Sequence, residues 1–270
     1  MLIYTFDRTL DGVLTAVFDA YALRQQPDQL VAEGAVLPMF CDAVHQVVTA
    51  EDKAARVWAG LEKKLTKEAL HLITVSWQSE SRELDTPLFH YIYKVFAPSH
   101  APRSNATGSI ERNFSDPDVL YVTNTARRVM HERLRMMQFL RFQKAKDGTY
   151  LGVISPDQNV LPLITSHFRD RFGDQPWLIY DARRRYGYYY QPPAQGGAGG
   201  EFITFQDEEA LPFSLEDGKL DEALLSDNDK LLQDLWRTYF KAICIRERMN
   251  PRKQLNDMPR RYWRYMTEKQ

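Results

Sequence analysis

The sequence predicts an α+β fold, and three observations carry that prediction. The segments around LRFQKA and TYLGVISP read as two strands joined by KDG, whose Asp-Gly pair is a hairpin turn signal. NVLPLITSHFRDRF then has helical spacing, and PWLIYD, YGYYY and EFITF follow as further strand candidates, the last beyond GGAGG. This strand–strand–helix–strand–strand order favours an antiparallel sheet with a helix on one face over a doubly wound parallel sheet. Elsewhere helical periodicity dominates, so the sheet is expected to pack with several helices and to end in a helical C-terminus.

The N-terminal elements read in order. LIYTF is a short strand, and Thr9 or Asp11 is placed to cap a helix through LTAVFDAYALRQ. AVLPMF is a second strand candidate. From Ala50 to about Ser76 the pattern is helical again, with Val57, Leu61, Leu65, Leu70 and Ile73 recurring between Lys and Glu. PLFHYIYKVF is a further helix, ending before Pro98. Residues 97–118, rich in Pro, Ser, Asn and Gly, mark a boundary between a mostly helical part with short strands over 1–100 and an α+β part with a basic surface over 119–270.

The C-terminal part opens with a helix over Val119–Leu140. Its apolar face holds Val122, Ala126, Val129, Met137 and Leu140, while Arg127, His131, Arg135 and Gln138 share another face. Arg133 falls by helical angle amid the apolar residues, where a charge must snorkel or find a carboxylate. A last helix, Asp229 to Arg248, is read as docking Leu231, Leu232, Leu235, Trp236, Tyr239, Phe240 and Ile243 on the core and stopping near Asn250-Pro251.

With 270 residues, 44% apolar and 26% charged, the chain has the composition of a soluble globular protein. Cys41 and Cys244 lie in apolar surroundings, which reads as buried free thiols in a reducing compartment. Acidic residues interrupt the N-terminus before a secretory signal forms, and no window approaches the ~18 apolar residues of a membrane span. The expected location is the cytoplasm, with no membrane partner.

The net charge of −1 conceals segregation. Tyr121–Tyr190 holds 12 basic and 6 acidic residues, Glu201–Leu235 holds 2 and 11, and Arg237–Arg264 holds 9 and 2. Two basic blocks around an acidic one suit either intramolecular pairing or a polyanion partner. The residues read as nucleic-acid-binding are Arg127, Arg135, Arg183, Arg184, Arg185, Arg246, Arg248, Arg252, Arg260 and Arg261, whose guanidinium groups fork onto phosphates. Tyr188 and Trp263 are the candidate stacking platforms. In the hairpin DARRRYGYYY, Tyr186, Tyr188 and Tyr190 share one face of a strand and Tyr189 takes the other. The four tyrosines therefore form no single stacking surface, and the arginines at the turn are the more credible contact.

Phosphate-binding loops, dinucleotide fingerprints, zinc-spaced cysteines and nucleophile elbows do not occur in the sequence, and no cofactor or metal is expected. Asp116 and Asp118 read as turn residues around Pro117. Asp157 in SPDQN and His167 in SHFRDRF stand at element ends where sites form, and they are the candidate catalytic residues.

FLRF (139–142), YLGVISPDQNVLPLITSHFRDRFGDQPWLIYDARRRYGYYY (150–190) and WRTYFKAICIRERMNPRKQLNDMPRRYWRYM (236–266) resemble a bacterial family of unknown function whose members are described as DNA metabolism proteins. The resemblance extends more loosely to TFDRTLDGVLTAVFDAY. It implies a DNA-handling accessory role beside a radical-SAM protein of DNA modification or repair, and a uracil-DNA glycosylase domain follows this region in some members. It carries no established catalytic residue. RMMQFLRF departs from a family pattern closer to RMKGFLRF, so Met137 stands where a phosphate-binding basic residue is expected. The leading expectation is a DNA-binding partner of a radical-SAM enzyme, with RNA also open as a ligand. The alternatives are an enzyme acting on nucleic acid, either glycosylase or nuclease, and a protein-interaction scaffold.

Overall fold

The computed structural model describes residues 1–97, 110–193, 200–206, 215–216, 219–220, 225–242 and 250–269. The chain is α+β and divides into two compact units, Met1–Met130 and His131–Gln270. The first is built around a parallel sheet of β1 (Leu2–Phe6), β2 (Gln29–Ala32) and β3 (Ala43–Gln46) in the order β2-β1-β3. The helix α1 (Leu10–Leu23) starts where Thr9 accepts the Gly12 N–H on its hydroxyl at 2.9 Å. Gly12 is fixed by space, because a Cβ there would drive into the Asp7 carboxylate. Helices α2 (Glu51–Lys64), α3 (Lys67–Trp77) and α4 (Asp85–Phe96) complete a core that includes Tyr4, Phe6, Leu61, Ile73, Leu88 and Phe89.

Three expectations for this unit need correction. AVLPMF forms no strand: the sheet takes the segments on either side, and Val36, Met39 and Phe40 are exposed on the connection between them. Pro38 offers no N–H to a ladder, and Gly34 turns the chain at φ 76°. Cys41 lies on the same connection and is half-exposed, not buried, and Cys244 lies outside the described residues. The helical run from Ala50 to Ser76 breaks at Leu65, which is extended, and Thr66 caps α3 by accepting the Ala69 N–H at 3.2 Å. The five-residue step from Leu65 to Leu70 in the apolar pattern marks that break.

The helix α5 (Pro117–Phe139) follows. Asp116 accepts the Asp118 N–H at 2.9 Å at its start, and both carboxylates hold Lys94, at 2.6 and 2.7 Å, so this acidic pair is indeed turn and cap chemistry.

The second unit contains a five-stranded sheet in the order β4 (Phe142–Lys144), β5 (Tyr150–Ile154), β6 (Trp177–Asp181), β7 (Tyr186–Gln191) and β8 (Glu201–Gln206). It is antiparallel except for β5 and β6, which run parallel. Between those two strands lies α6 (Leu161–Arg171), and a strand–helix–strand crossover returns the chain to the same end of the sheet. Gly148, at φ 92°, supplies the left-handed position of the β4–β5 turn. β6 is buried along its whole length, as a strand covered on both faces must be. In β7 a Cβ on Gly187 would collide with Phe205 and the Ile179 carbonyl, so this glycine allows the strands to approach.

The last long helix, α7, runs Asp227–Ala242, and residues 243–249 lie outside the described residues. Its Leu231, Leu232, Leu235, Trp236 and Tyr239 are exposed, contrary to the expected docking on the core. The helix is held from its polar side instead, where Arg237 donates to the Thr267 carbonyl at 3.1 Å and Asp229 is buried. Asn250-Pro251 does not end a helix but begins α8 (Pro251–Asp257), with Asn250 accepting the Lys253 N–H at 3.0 Å.

Candidate nucleic-acid interface

Three segments of the second unit converge on Asp157, in the loop between β5 and α6. The first is the β6–β7 turn. Asp181, at the end of β6, is fully buried and accepts the backbone N–H groups of Arg183 at 2.9 Å and Arg184 at 3.2 Å. An aspartate two and three residues before those amides folds the chain into an Asx turn, and Arg185 closes it in the left-handed region at φ 59°. The guanidinium of Arg184 folds inward, 3.0 Å from Asp181 and donating to the Pro156 and Asp157 carbonyls at 3.1 and 3.0 Å. Burial raises the pKa of Asp181 against the opposing pull of Arg184.

The second segment is α5. Among the described residues Arg133 pairs with no carboxylate: it is half-buried and donates to the Leu163 carbonyl at 2.9 Å. The buried charge on this helix is the neighbouring Glu132, only 3% exposed. One of its oxygens accepts the Asp157 N–H at 3.0 Å, and the other accepts from Arg261 at 2.6 Å and from the Tyr262 hydroxyl. Met136, not Met137, completes the buried stripe with Val122, Ala126, Val129 and Leu140.

The third segment is the C-terminal turn Arg260–Tyr265. Burial of Tyr262, with its bond to the Glu132 carboxylate, pushes the phenol up to about 12, so it stays a donor throughout the physiological range. Burial works against the charge of Arg261, but the Tyr262 hydroxyl, Glu132 and Asp157 outweigh it and raise the pKa.

On Asp157 itself, Arg183 binds one carboxylate oxygen at 2.8 Å and Arg261 binds the other. All three side chains stay open to solvent, at 52% for Arg183, 43% for Asp157 and 40% for Arg261. Tyr186 donates to Asn159 beside them, and the amide oxygen of Gln158 is buried with no partner among the described residues. The constellation is charge-balanced, with Arg183, Arg184 and Arg261 against Glu132, Asp157 and Asp181. Two guanidinium groups are thus preset around one half-exposed anion, the arrangement that also receives a phosphate.

The remaining candidates distribute as follows. Arg185, Arg252 and Arg260 are exposed, and Arg135 is half-buried. Trp263 carries cations over its ring, Arg260 at 5.8 Å and Lys269 at 4.9 Å from the centroid, and its indole N–H is spent on the Met258 carbonyl. Tyr188 is half-buried and stands edge-to-face against Tyr186 and Phe202. Arg127 is exposed on the part of α5 that belongs to the first unit. Arg246 and Arg248 lie outside the described residues. His167 is absent from the Asp157 network. It lines a groove of about 460 Å³ with Arg141, Phe142, Arg171 and Phe172, where Arg141 is tied to Glu268 at 2.7 Å. Among the described residues no cluster of His, Cys, Asp and Glu is arranged to hold a metal, and no helix is long and apolar enough to cross a membrane.

Sequence reasoning misses Glu132 and Tyr262. The available signal is positional, since Glu132 follows Val122, Ala126 and Val129 at helical spacing and an acid there needs partners. No curated protein matches the chain. Residues 83–268, which include every residue of the Asp157 network, match the model of a domain of unknown function (DUF4130), and the chain belongs to that family.

Proposed function

We propose that the protein binds DNA through the arginine-bearing face around Asp157, as an accessory to a repair or modification reaction carried out with a radical-SAM enzyme. The observation that supports this reading is the shared grip of Arg183 and Arg261 on one solvent-facing carboxylate. Arginines from two separate basic blocks lie together, with Arg185 and Arg260 exposed on the same two segments. A DNA phosphate replaces the Asp157 carboxylate as the acceptor for these forks, while Arg184 and Glu132 remain as the scaffold beneath. The radical-SAM partner rests on the family resemblance in the sequence alone.

The test is fluorescence anisotropy of labelled single- and double-stranded oligonucleotides over a salt series. Affinity falls linearly with the logarithm of salt, and Arg183→Ala, Arg185→Ala and Arg260→Ala each reduce the slope by about one. Undetectable binding at low salt, or binding indifferent to salt, removes the proposal.

One observation favours a second reading, an enzyme acting on nucleic acid. The buried Glu132–Tyr262 pair beside the half-exposed Asp157 resembles a supported polar site more than a plain surface ion pair. Asp157→Asn and His167→Ala together abolish any base-release or strand-cleavage activity under this reading. An unchanged activity in the double variant discards those two residues.

A further inference from the structure

The first unit carries a second constellation at the carboxyl end of β1. In the parallel sheet of order β2-β1-β3 the chain passes from β1 to β2 on one side and then from β2 to β3 on the other, and ligands of parallel sheets bind at the carboxyl edge where the order reverses. The chain leaves β1 through Asp7, Arg8 and Thr9, and Thr9 caps α1. Arg8 is held in the left-handed region at φ 59°, which places its guanidinium against the turn after α3. There Nη2 donates to the Glu80 carbonyl at 2.7 Å and Nε lies 3.5 Å from Asp85. Glu80 is itself left-handed at φ 52°. Each such non-glycine residue costs about 1 kcal/mol or more.

Behind Arg8, the Asp85 side chain is only 3% exposed, and one of its oxygens is buried without a partner among the described residues. The arginine Nε likewise lacks a hydrogen bond among the described residues. In front, Arg8 lines a cavity of about 460 Å³ with Trp77, Glu80 and Ser81. That volume suits a small molecule. The lining offers a guanidinium fork for an anion, an indole for a planar ring and a hydroxyl for a polar group. The Glu80 carboxylate on the same lining limits how much negative charge the cavity accepts.

We propose that this cavity binds a small anion carrying a planar ring, of which a nucleoside monophosphate is the simplest example. Arg8 takes the phosphate and Trp77 stacks on the ring. Asp85 and the Glu80 carbonyl are positioning groups that hold Arg8. The site is independent of the DNA reading, and its residues Arg8, Trp77, Glu80 and Ser81 precede the part of the chain that the family model matches.

The experiment is isothermal titration calorimetry of the full chain with AMP and with inorganic phosphate. AMP binds saturably, and phosphate binds at least about tenfold more weakly because it lacks the ring. Arg8→Gln weakens AMP at least about tenfold, and Trp77→Leu weakens AMP to the level of phosphate while leaving phosphate unchanged. Ser81→Trp fills the cavity without touching Arg8 and abolishes binding, with circular dichroism reporting that each variant is folded. No saturation by about 10 mM AMP, or wild-type affinity in folded Arg8→Gln or Ser81→Trp, overturns the site. Equal affinity for phosphate and AMP overturns the role of the ring.

Discussion

Glu132 satisfies three groups at once: the Asp157 amide, the Arg261 guanidinium and the Tyr262 hydroxyl. Replacing it by alanine strands a buried phenol and frees an arginine, so Glu132→Ala loses about 2–3 kcal/mol in urea denaturation. Tyr262→Phe removes the hydroxyl's bonds to Glu132 and Arg261 and costs about 1–2 kcal/mol. Asp85 acts in the opposite sense. Burial lifts its pKa from 3.8 to about 6, only partly offset by Arg8, so the folded state holds the proton more tightly than the unfolded chain. Its contribution is therefore present below pH 3.8 and lost as pH rises to about 6. Asp85→Asn removes that slope and stabilises the chain above pH 6 by up to about 3 kcal/mol. A thermal melt of the variant that is no higher than the wild type at neutral pH contradicts this assignment. At this scale the sequence is legible for type and blurred for position. The buried charge on α5 is Glu132, while periodicity points to Arg133, because one residue turns a helix by about 100 degrees. Which neighbour faces inward is decided by what waits opposite, here Tyr262 from the far end of the chain.

Elements with a strong local signal are legible in the sequence: the capped α1, α4, α5, and the hairpins at KDG and DARRRY. Elements whose placement depends on distant partners are not. β2 and β3 are short strands selected by pairing with β1, and the more apolar AVLPMF between them stays outside the sheet. α7 is amphipathic, yet its polar side meets the C-terminal segment, since Arg237 reaches the Thr267 carbonyl there. The start of α5 carries its own prediction. His90 on α4 has the Pro27 carbonyl 3.2 Å from one ring nitrogen and Asp118 3.5 Å from the other. Two acceptors call for two donors, so the imidazolium is favoured, and the bond to Asp118 raises the histidine pKa above 6.5. Its stabilisation is complete below pH 6.5 and is lost as pH climbs through the raised value. His90→Gln flattens the fall in melting temperature above pH 6.5, and an unaltered pH profile in that variant rules the clamp out.

For the whole molecule, the charge blocks in the sequence foreshadow the arginine face without showing its internal balance. Composition counts Arg183, Arg184 and Arg261 as free cations, whereas folding sets each against an acid. Asp157 is therefore the control point of the proposed interface: it presets Arg183 and Arg261 and competes with a phosphate for them. The measurement that tests this most directly is the DNA affinity of Asp157→Asn against the wild type across a salt series. Freed of the carboxylate, the two guanidinium groups bind DNA about tenfold more tightly at low salt, with a slope steeper by about one. An affinity and slope equal to the wild type, or weaker binding in a variant that stays folded, contradicts the proposal that this face holds DNA.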